Sequence, residues 1–293
     1  MSKGILPAFA DNTAARDVIM NLDKTKLATY KDHLDALRPK TDVDRFRRGL
    51  FAFASVHTTW ASNCELYRWL YTKSWWGNPQ ELMIRIAESR AGLHHNRFKY
   101  ISQFYDRFWA CPEWYFKQHY ETWFEYRDRL DKNTLGLGLA KCAFFAELIY
   151  LDDCQVPCMD VHLLKLFGIP NEVYAKSGAS AVFVRWAEKQ WHDLSLEAGV
   201  SPTTARWCYW DEKQGKLDSS YWTHVLEQPQ EDPLLNRPFL LSMDQIIQTV
   251  VTPDKLESVR PQKPKKPKKP KKPKKPKEPR KLLTITSMPK QEI

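Results

Sequence analysis

Residues 139–151 constrain the fold most, because they are apolar at nearly every position of a predicted helix. A helix that is apolar all round has to be covered on every side. Two ionisable residues interrupt this surface, Lys141 in the first turn and Glu147 further along. We interpret Glu147 as a buried acid whose hydrogen bonds are satisfied, rather than as a catalyst. The alternative is that the predicted helix face is in error and Glu147 is not buried.

Two glycines precede this helix, and a short loop follows it. Gly136 and Gly138 break the helical pattern and indicate a tight turn with exposed backbone N–H groups. Such groups before a helix suit a phosphate. After the loop, Asp160 stands where an N-cap belongs before the next apolar helix.

Chain geometry predicts that Lys141 and Asp160 face one cleft. From Lys141 to Leu151 a helix rises about 15 Å, at ~1.5 Å per residue. The next eight residues can span up to roughly 26 Å, which is enough to bring the chain back to the level of Lys141. An ammonium group and a carboxylate beside a glycine turn would form a plausible active site.

This stretch resembles the helix-hairpin-helix, Gly-Pro-Asp superfamily of base-excision DNA glycosylases, in its lysine-bearing branch of endonuclease III and 8-oxoguanine glycosylases. The K-C-A that begins at Lys141 matches the family's K-x-A, and the D-V-H that begins at Asp160 matches its D-x-H. Their separation of 19 residues fits the same branch. The hairpin departs from the family pattern LPGxG, since Gly136 replaces the proline and Gly138 lies three residues before the lysine instead of two.

The resemblance implies an all-α fold, a two-lobed helical bundle, and DNA N-glycosylase activity on double-stranded DNA. Asp160 would stabilise positive charge on the deoxyribose as the base leaves. Lys141 would attack C1′ and form a Schiff base that permits β-elimination. Gly136, Gly138 and His162 would contact the DNA.

A polar interruption in an earlier segment adds a base pocket to this interpretation. Residues 42–76 read as one helix whose apolar stripe is broken by the sequence HTTWASN. In lysine-bearing glycosylases the corresponding helix lines the base pocket, so the resemblance assigns that role to His57, Thr58, Trp60 and Asn63. A flipped base needs hydrogen bonds on its edge and an aromatic face to stack on. Helix capping and packing is the alternative role for these residues.

Other segments are predicted to be helical, and the aromatic segment 111–130 is interpreted as core rather than as a surface that stacks bases. The further predicted helices are Thr13–Leu22, Lys24–Leu37, a helix begun by Asn78 and Pro79, one after Gly92, Ala179–Leu196, and one begun by Ser201 and Pro202.

Composition bounds the class of protein. A chain of 293 residues with 43% hydrophobic content can bury a sizeable core. It has no run of the ~18 apolar residues that span a membrane and no recognisable signal peptide. We therefore expect no membrane partner and a location in the cytoplasm or on the nucleoid. We also expect a monomer.

Cysteine usage agrees with a reducing compartment, because the six cysteines lack a paired framework. Family members with an iron–sulfur cluster carry four closely spaced cysteines after the catalytic aspartate. Only Cys208 lies in that region here. We expect no iron–sulfur cluster, no metal and no other cofactor.

The basic charge is concentrated in the C-terminal tail. Residues 260–281 carry thirteen Lys or Arg and one Glu, a net charge of +12. The whole chain has a net charge of +10, so the remaining residues together carry −2. The KPKKPKK repeat favours an extended polyproline-II coil. Its lysines, such as Lys263, Lys265 and Lys266, could hold DNA phosphates without sequence preference. A solubilising or spacer role is the alternative.

These patterns predict four regions and leave two other functions open. The regions are an N-terminal helical wrap (1–40), the glycosylase-like domain (41–226), a weakly ordered linker with a short helix at Leu241–Val251 (227–259), and a disordered basic tail (260–293). One alternative function is a phage-type enzyme that hypermodifies DNA bases, replacing pyrophosphate on a hydroxymethyl base with an amine. The other is a DNA-binding module without catalysis. The sequence does not choose among oxidised purines, oxidised pyrimidines and modified foreign bases as the substrate.

Overall fold

A computed structural model describes residues 10–170, 179–213 and 232. The predicted helix at Leu241–Val251, the basic tail, and Lys263, Lys265 and Lys266 lie outside the described residues. Within the described ranges the secondary structure is entirely helical, which confirms the predicted all-α class.

The α-helices are α1 (Thr13–Met20), α2 (Lys24–Ala36), α3 (Asp42–Ala54), α4 (Trp60–Tyr71), α5 (Pro79–Glu88), α6 (His94–Ala110), α7 (Trp123–Asn133), α8 (Leu139–Tyr150), α9 (Val161–Leu166), α10 (Ala179–Glu197) and α11 (Pro202–Lys213). Two 3-10 helices, Pro112–Tyr115 and Leu151–Asp153, follow α6 and α8.

Side-chain caps explain where several helices begin. Asp23, Thr41 and Asn78 each accept a backbone N–H from the first turn of α2, α3 and α5. Thr122 forms a capping box with Glu125 at the start of α7. Each such cap contributes roughly 0.5–2 kcal/mol to helix stability, so these starts are encoded locally.

Helix α8 is the buried centre that its composition predicts. All its residues from Cys142 to Ile149 are buried, and it packs against α3, α7 and α10. The approach of α3 is close at Gly49, where an added Cβ would lie 2.5 Å from the Phe104 ring and 2.7 Å from the Phe145 ring. Only glycine fits at this contact.

Two hydrophobic cores give the bundle two lobes, as predicted. The larger core is built from α2 to α8 with part of α11. The smaller core combines α1, α9 and α10 with the rest of α11. Helix α11 belongs to both lobes, since Trp207 and Trp210 pack in the larger core and Ala205 and Tyr209 in the smaller.

Residues 42–76 contain two separate helices, α3 and α4, so the prediction of one interrupted helix is wrong. The chain leaves α3 at Ser55, and His57 takes a left-handed backbone conformation with φ of 50°. Thr59 then caps α4 by accepting the N–H of Ser62. The polar residues leave the helix because they form this turn and cap.

The aromatic segment is only partly core. Tyr115 and Tyr126 are buried, and the Tyr126 hydroxyl donates to the Tyr115 carbonyl at 2.6 Å. Tyr120, in contrast, is 75% exposed, so its assignment to the core is wrong. Tyr120 lies in the loop between Pro112–Tyr115 and α7, and none of the described helices covers its side chain.

The described residues include all six cysteines, and each is a free thiol. Within the same ranges, none of the helices combines the length and the apolar character needed to cross a membrane.

Candidate active site

A cavity of about 740 Å³ lies where the two lobes meet, with walls from both. It gathers residues that are far apart in the sequence, including every predicted site residue within the described ranges. These are His57, Thr58, Trp60, Asn63, Gly136, Gly138, Lys141, Asp160 and His162.

Lys141 is the third residue of α8 and is half-buried in the cavity wall. Its Nζ lies 5.3 Å from the centre of the Phe144 ring and makes no ion pair or hydrogen bond with any described residue. Burial lowers the pKa of Lys141 below its ordinary value, and the nearby Cys158 and Asp160 only partly oppose this effect. The site therefore raises the fraction of neutral amine above that of a solvated lysine, and the neutral amine is the nucleophilic form.

Asp160 caps α9 and faces the same cavity. Its Oδ1 accepts the backbone N–H groups of His162 at 2.8 Å and Leu163 at 3.0 Å. Both bonds go to one oxygen, and Oδ2 makes no hydrogen bond within the described residues. Capping thus fixes the carboxylate in place and leaves one oxygen able to act on a ligand.

The turn between α7 and α8 uses its two glycines differently. Gly136 has φ of 92°, and an added Cβ would lie 2.4 Å from the Tyr100 ring. Gly138 has φ of −92° and no atom within 4 Å of an added Cβ, so that position does not need glycine. The prediction that both glycines shape the turn holds only for Gly136.

Glu147 lies beneath the cavity, fully buried and satisfied. Its Oε1 accepts the Cys158 N–H at 2.8 Å, and its Oε2 lies 2.6 Å from Arg206 Nη2 and 3.4 Å from Trp207 Nε1. The interpretation as a satisfied buried acid is confirmed. The bond to Cys158 also anchors the loop that carries Asp160.

Residues before and within α4 form another wall. His57 is exposed at this wall, whereas Asn63 is 1% exposed. The Trp60 ring lies 5.0 Å from Trp210 and 5.4 Å from Phe51. The cavity therefore combines an aromatic wall with buried polar groups, which is the composition a nucleobase requires.

Among the ionisable residues that line the cavity, sequence reasoning missed three, Asp131, Cys158 and Arg206. Burial raises the pKa of Asp131 above its ordinary value and that of Cys158 to about 12, so the Cys158 thiol stays protonated at neutral pH. Arg206 had a usable signal. It is a lone cation among apolar and aromatic residues, as Glu147 is a lone acid in an apolar helix, and buried charges of opposite sign tend to pair.

Among residues 10–170, 179–213 and 232, there is no group of three or more His, Cys, Asp or Glu positioned to hold a metal ion.

Comparison with known proteins gives the fold. No family model matches the chain, and no curated protein matches its sequence. The structure is similar to the crystal structure of 8-oxoguanine DNA glycosylase from Methanocaldococcus jannaschii, with a TM-score of 0.51 and 18% sequence identity. The match covers 70% of this chain and 90% of that one. The chain thus shares the helical fold of that glycosylase, in agreement with the predicted all-α class.

Proposed function

We propose that the protein is a DNA N-glycosylase with an associated lyase activity, acting on a base flipped out of double-stranded DNA. The observation that carries the proposal is the placement of Lys141 and Asp160 in one cavity, with the pKa of the lysine lowered by burial. The fold shared with an 8-oxoguanine DNA glycosylase supports the same class of reaction.

Base release would begin with Lys141. Its neutral amine forms a bond to C1′ of the deoxyribose while the bond from C1′ to the base breaks. The electron pair of the broken bond leaves with the base, which takes up a proton, and the attacking nitrogen loses one. The Asp160 carboxylate stabilises the positive charge that develops on the sugar, since a fixed anion acts strongly in a site that excludes water.

Strand cleavage would follow from the covalent intermediate. Opening of the sugar ring, with a proton going to the ring oxygen, leaves a protonated Schiff base on Lys141. Loss of a proton from C2′ then expels the 3′ phosphate by β-elimination. This nicks the strand 3′ to the lesion, and hydrolysis of the imine regenerates the lysine.

The hairpin would position the DNA. The backbone N–H groups of Gly136 and Gly138 donate to no described acceptor, and they precede the N-terminus of α8. Such N–H groups suit a phosphate. Contacts from His162 and from the tail lysines Lys263, Lys265 and Lys266 belong to the same proposal, as does a monomeric protein.

Borohydride trapping on an abasic duplex tests the nucleophile without knowledge of the lesion. The parent protein should form a covalent adduct, and Lys141→Gln should form none. Lys165→Gln is a matched control, because Lys165 is exposed on α9 and lies outside the cavity wall. Trapping by Lys141→Gln at the parent level would show that another group is the nucleophile.

Two further measurements address the other functions. Asp160→Asn should retain DNA affinity and lose the turnover that the parent shows. A module that only binds DNA would show no turnover in either protein, and the variant would differ from the parent only in charge. Incubation with hydroxymethyluracil diphosphate DNA and an amine should give no product. Transfer of the amine to the base there would favour the hypermodification reaction instead.

A further inference from the structure

Two side chains in the cavity wall are buried without all their hydrogen-bond partners. Asn63 on α4 is 1% exposed, and neither its Oδ1 nor its Nδ2 bonds to any described residue. Arg206 on α11 is 2% exposed; its Nη2 pairs with Glu147, but its Nε has no hydrogen-bond partner in the described part of the chain. Burying polar atoms without partners is unfavourable, so these atoms point to a ligand that would supply the partners.

The unpartnered atoms define what that ligand must offer. The Arg206 Nε carries one N–H donor, and the Asn63 amide carries one acceptor and two donors. A ligand edge that engages both side chains therefore presents at least two acceptors and one N–H donor. Arginine binds a carbonyl oxygen or a ring nitrogen in this way when it reads a base.

We infer, resting on the proposed function, that Asn63 and Arg206 read the edge of the flipped base and select a base with two acceptors and one N–H donor on that edge. Pyrimidines meet this requirement, and so does 8-oxoguanine through its two carbonyl oxygens and the N–H between them. Adenine offers one donor and one acceptor, so it leaves one of the two side chains unsatisfied. Undamaged guanine lacks the required donor on the edge that carries N7.

The position of Arg206 relative to Lys141 fits this role. The Arg206 guanidinium lies 5.7 Å from the centre of the Phe144 ring, and Lys141 Nζ lies 5.3 Å from the same centre. Both cationic side chains therefore lie near the same aromatic ring, and both line the same cavity.

Access to these atoms requires only a local movement. The unpartnered atoms of Asn63 and Arg206 have almost no exposed surface, so a base reaches them when the side chains turn toward it. Asn63 has no side-chain hydrogen bond to break in turning, and Arg206 can keep its ion pair with Glu147. The aromatic neighbours Trp60 and Trp210 then offer the stacking surface.

The test compares base excision with trapping on DNA that has no base. The variants are Asn63→Leu, which removes the amide, and Arg206→Lys, which keeps a cation for Glu147 and removes the Nε donor. Single-lesion duplexes carry 8-oxoguanine, 5-hydroxymethyluracil or 1,N6-ethenoadenine, and a fourth duplex carries an abasic site. Ser195→Ala is the control, because Ser195 Oγ is also buried without a partner but lies outside the cavity wall.

The parent should excise 8-oxoguanine, 5-hydroxymethyluracil or both, and should not excise ethenoadenine. The base that is excised shows whether a purine or a pyrimidine presents the required edge. Each variant should lose about 10- to 100-fold in excision, as expected when a hydrogen bond to the substrate is removed. Both should trap on abasic DNA at the parent level, and Asn63→Leu should melt no lower than the parent. Ser195→Ala should excise like the parent.

Three results would overturn the inference. They are excision at the parent rate by both variants, preferred excision of ethenoadenine, and a parent that traps on abasic DNA but excises neither carbonyl-bearing base. A parent that fails to trap on abasic DNA at all would instead overturn the proposed function. The abasic duplex therefore separates the two failures.

Discussion

Two buried arginines in this bundle differ in how much of their hydrogen-bonding capacity the protein itself uses. Arg127 on α7 donates to Glu188 on α10 and to Asp128, and none of its nitrogens is buried without a partner. Arg206 pairs with Glu147 but keeps an unpartnered Nε in the wall of the cavity. The first pair ties helices together, whereas the second also leaves a donor for a ligand.

The difference follows from position. Arg127 and Glu188 are 1% and 0% exposed at a junction of α7 and α10. Arg206 lines a cavity of about 740 Å³, so part of its surroundings is open space instead of protein. A buried ion pair is by itself weak support for stability or function, and the unpartnered atoms beside a cavity are what distinguish the two.

The largest effect should come from breaking the structural pair. Arg127→Met leaves the Glu188 carboxylate buried without its partner, and we expect a loss of about 3–5 kcal/mol in the free energy of unfolding. Urea denaturation measures this loss, and the double variant with Glu188→Met should recover most of it. Trapping on abasic DNA, measured where the variant is folded, should equal that of the parent. A stability loss below about 1 kcal/mol would show that the pair contributes little.

Glu147→Gln should give a smaller stability loss together with a functional one. The neutral amide can still accept the Cys158 N–H but no longer neutralises Arg206, so we expect about 1.5–3 kcal/mol of destabilisation from a weakened charged hydrogen bond. An amide oxygen holds the Cys158 N–H less strongly than a carboxylate does. Because Cys158 belongs to the loop that carries Asp160, the trapping rate should also fall. Arg127→Met is the matched comparison, since it should change stability alone. An unchanged trapping rate would mean that Glu147 does not position the loop.

The pH dependence of trapping should separate the site further from the rest of the bundle. Burial lowers the pKa of Lys141, so its neutral fraction at a given pH exceeds that of an ordinary lysine. Below that pKa each unit of rising pH increases the neutral amine about tenfold, and the rate should then level off. Single-turnover trapping across pH measures the profile, with Ser195→Ala expected to follow the parent. A rate that keeps rising to about pH 10 before it levels off, as for a solvated lysine, would contradict the lowered pKa.

The smallest effect concerns the hairpin glycines, one constrained by the fold and the other not. Gly138→Ala should change the free energy of unfolding by less than about 1 kcal/mol, because the lower freedom of the unfolded chain offsets the poorer capping of α8 by alanine. Gly136→Ala is the opposing control and should destabilise, since its φ of 92° is strained for alanine and its Cβ would meet Tyr100. Thermal denaturation compares the two. Destabilisation by Gly138→Ala of more than about 1 kcal/mol would mean that its position is also constrained.

Local patterns in the sequence were sufficient for most helices. The caps at Asp23, Asn78 and Asp160 and the apolar run in α8 act over one or two turns, so they could be read without the tertiary structure. The break at His57 could not be read correctly, because a polar stretch in an amphipathic pattern is compatible with either a helix face or a turn. The exposure of Tyr120 also depended on which neighbours cover it.

For the candidate site, motif spacing predicted Lys141 and Asp160. The resemblance to the glycosylase family, together with their polarity, predicted the residues of the α4 wall. It did not place Arg206, Asp131 or Cys158 in the same cavity, because their separation along the chain carries no information about contact across lobes. Caps and motif spacing depend on residues that are close together in the sequence. Burial, shifted pKa values and unpartnered donors arise only when distant helices pack. The sequence thus determined which groups can react, and the tertiary structure decided which of them share a cavity.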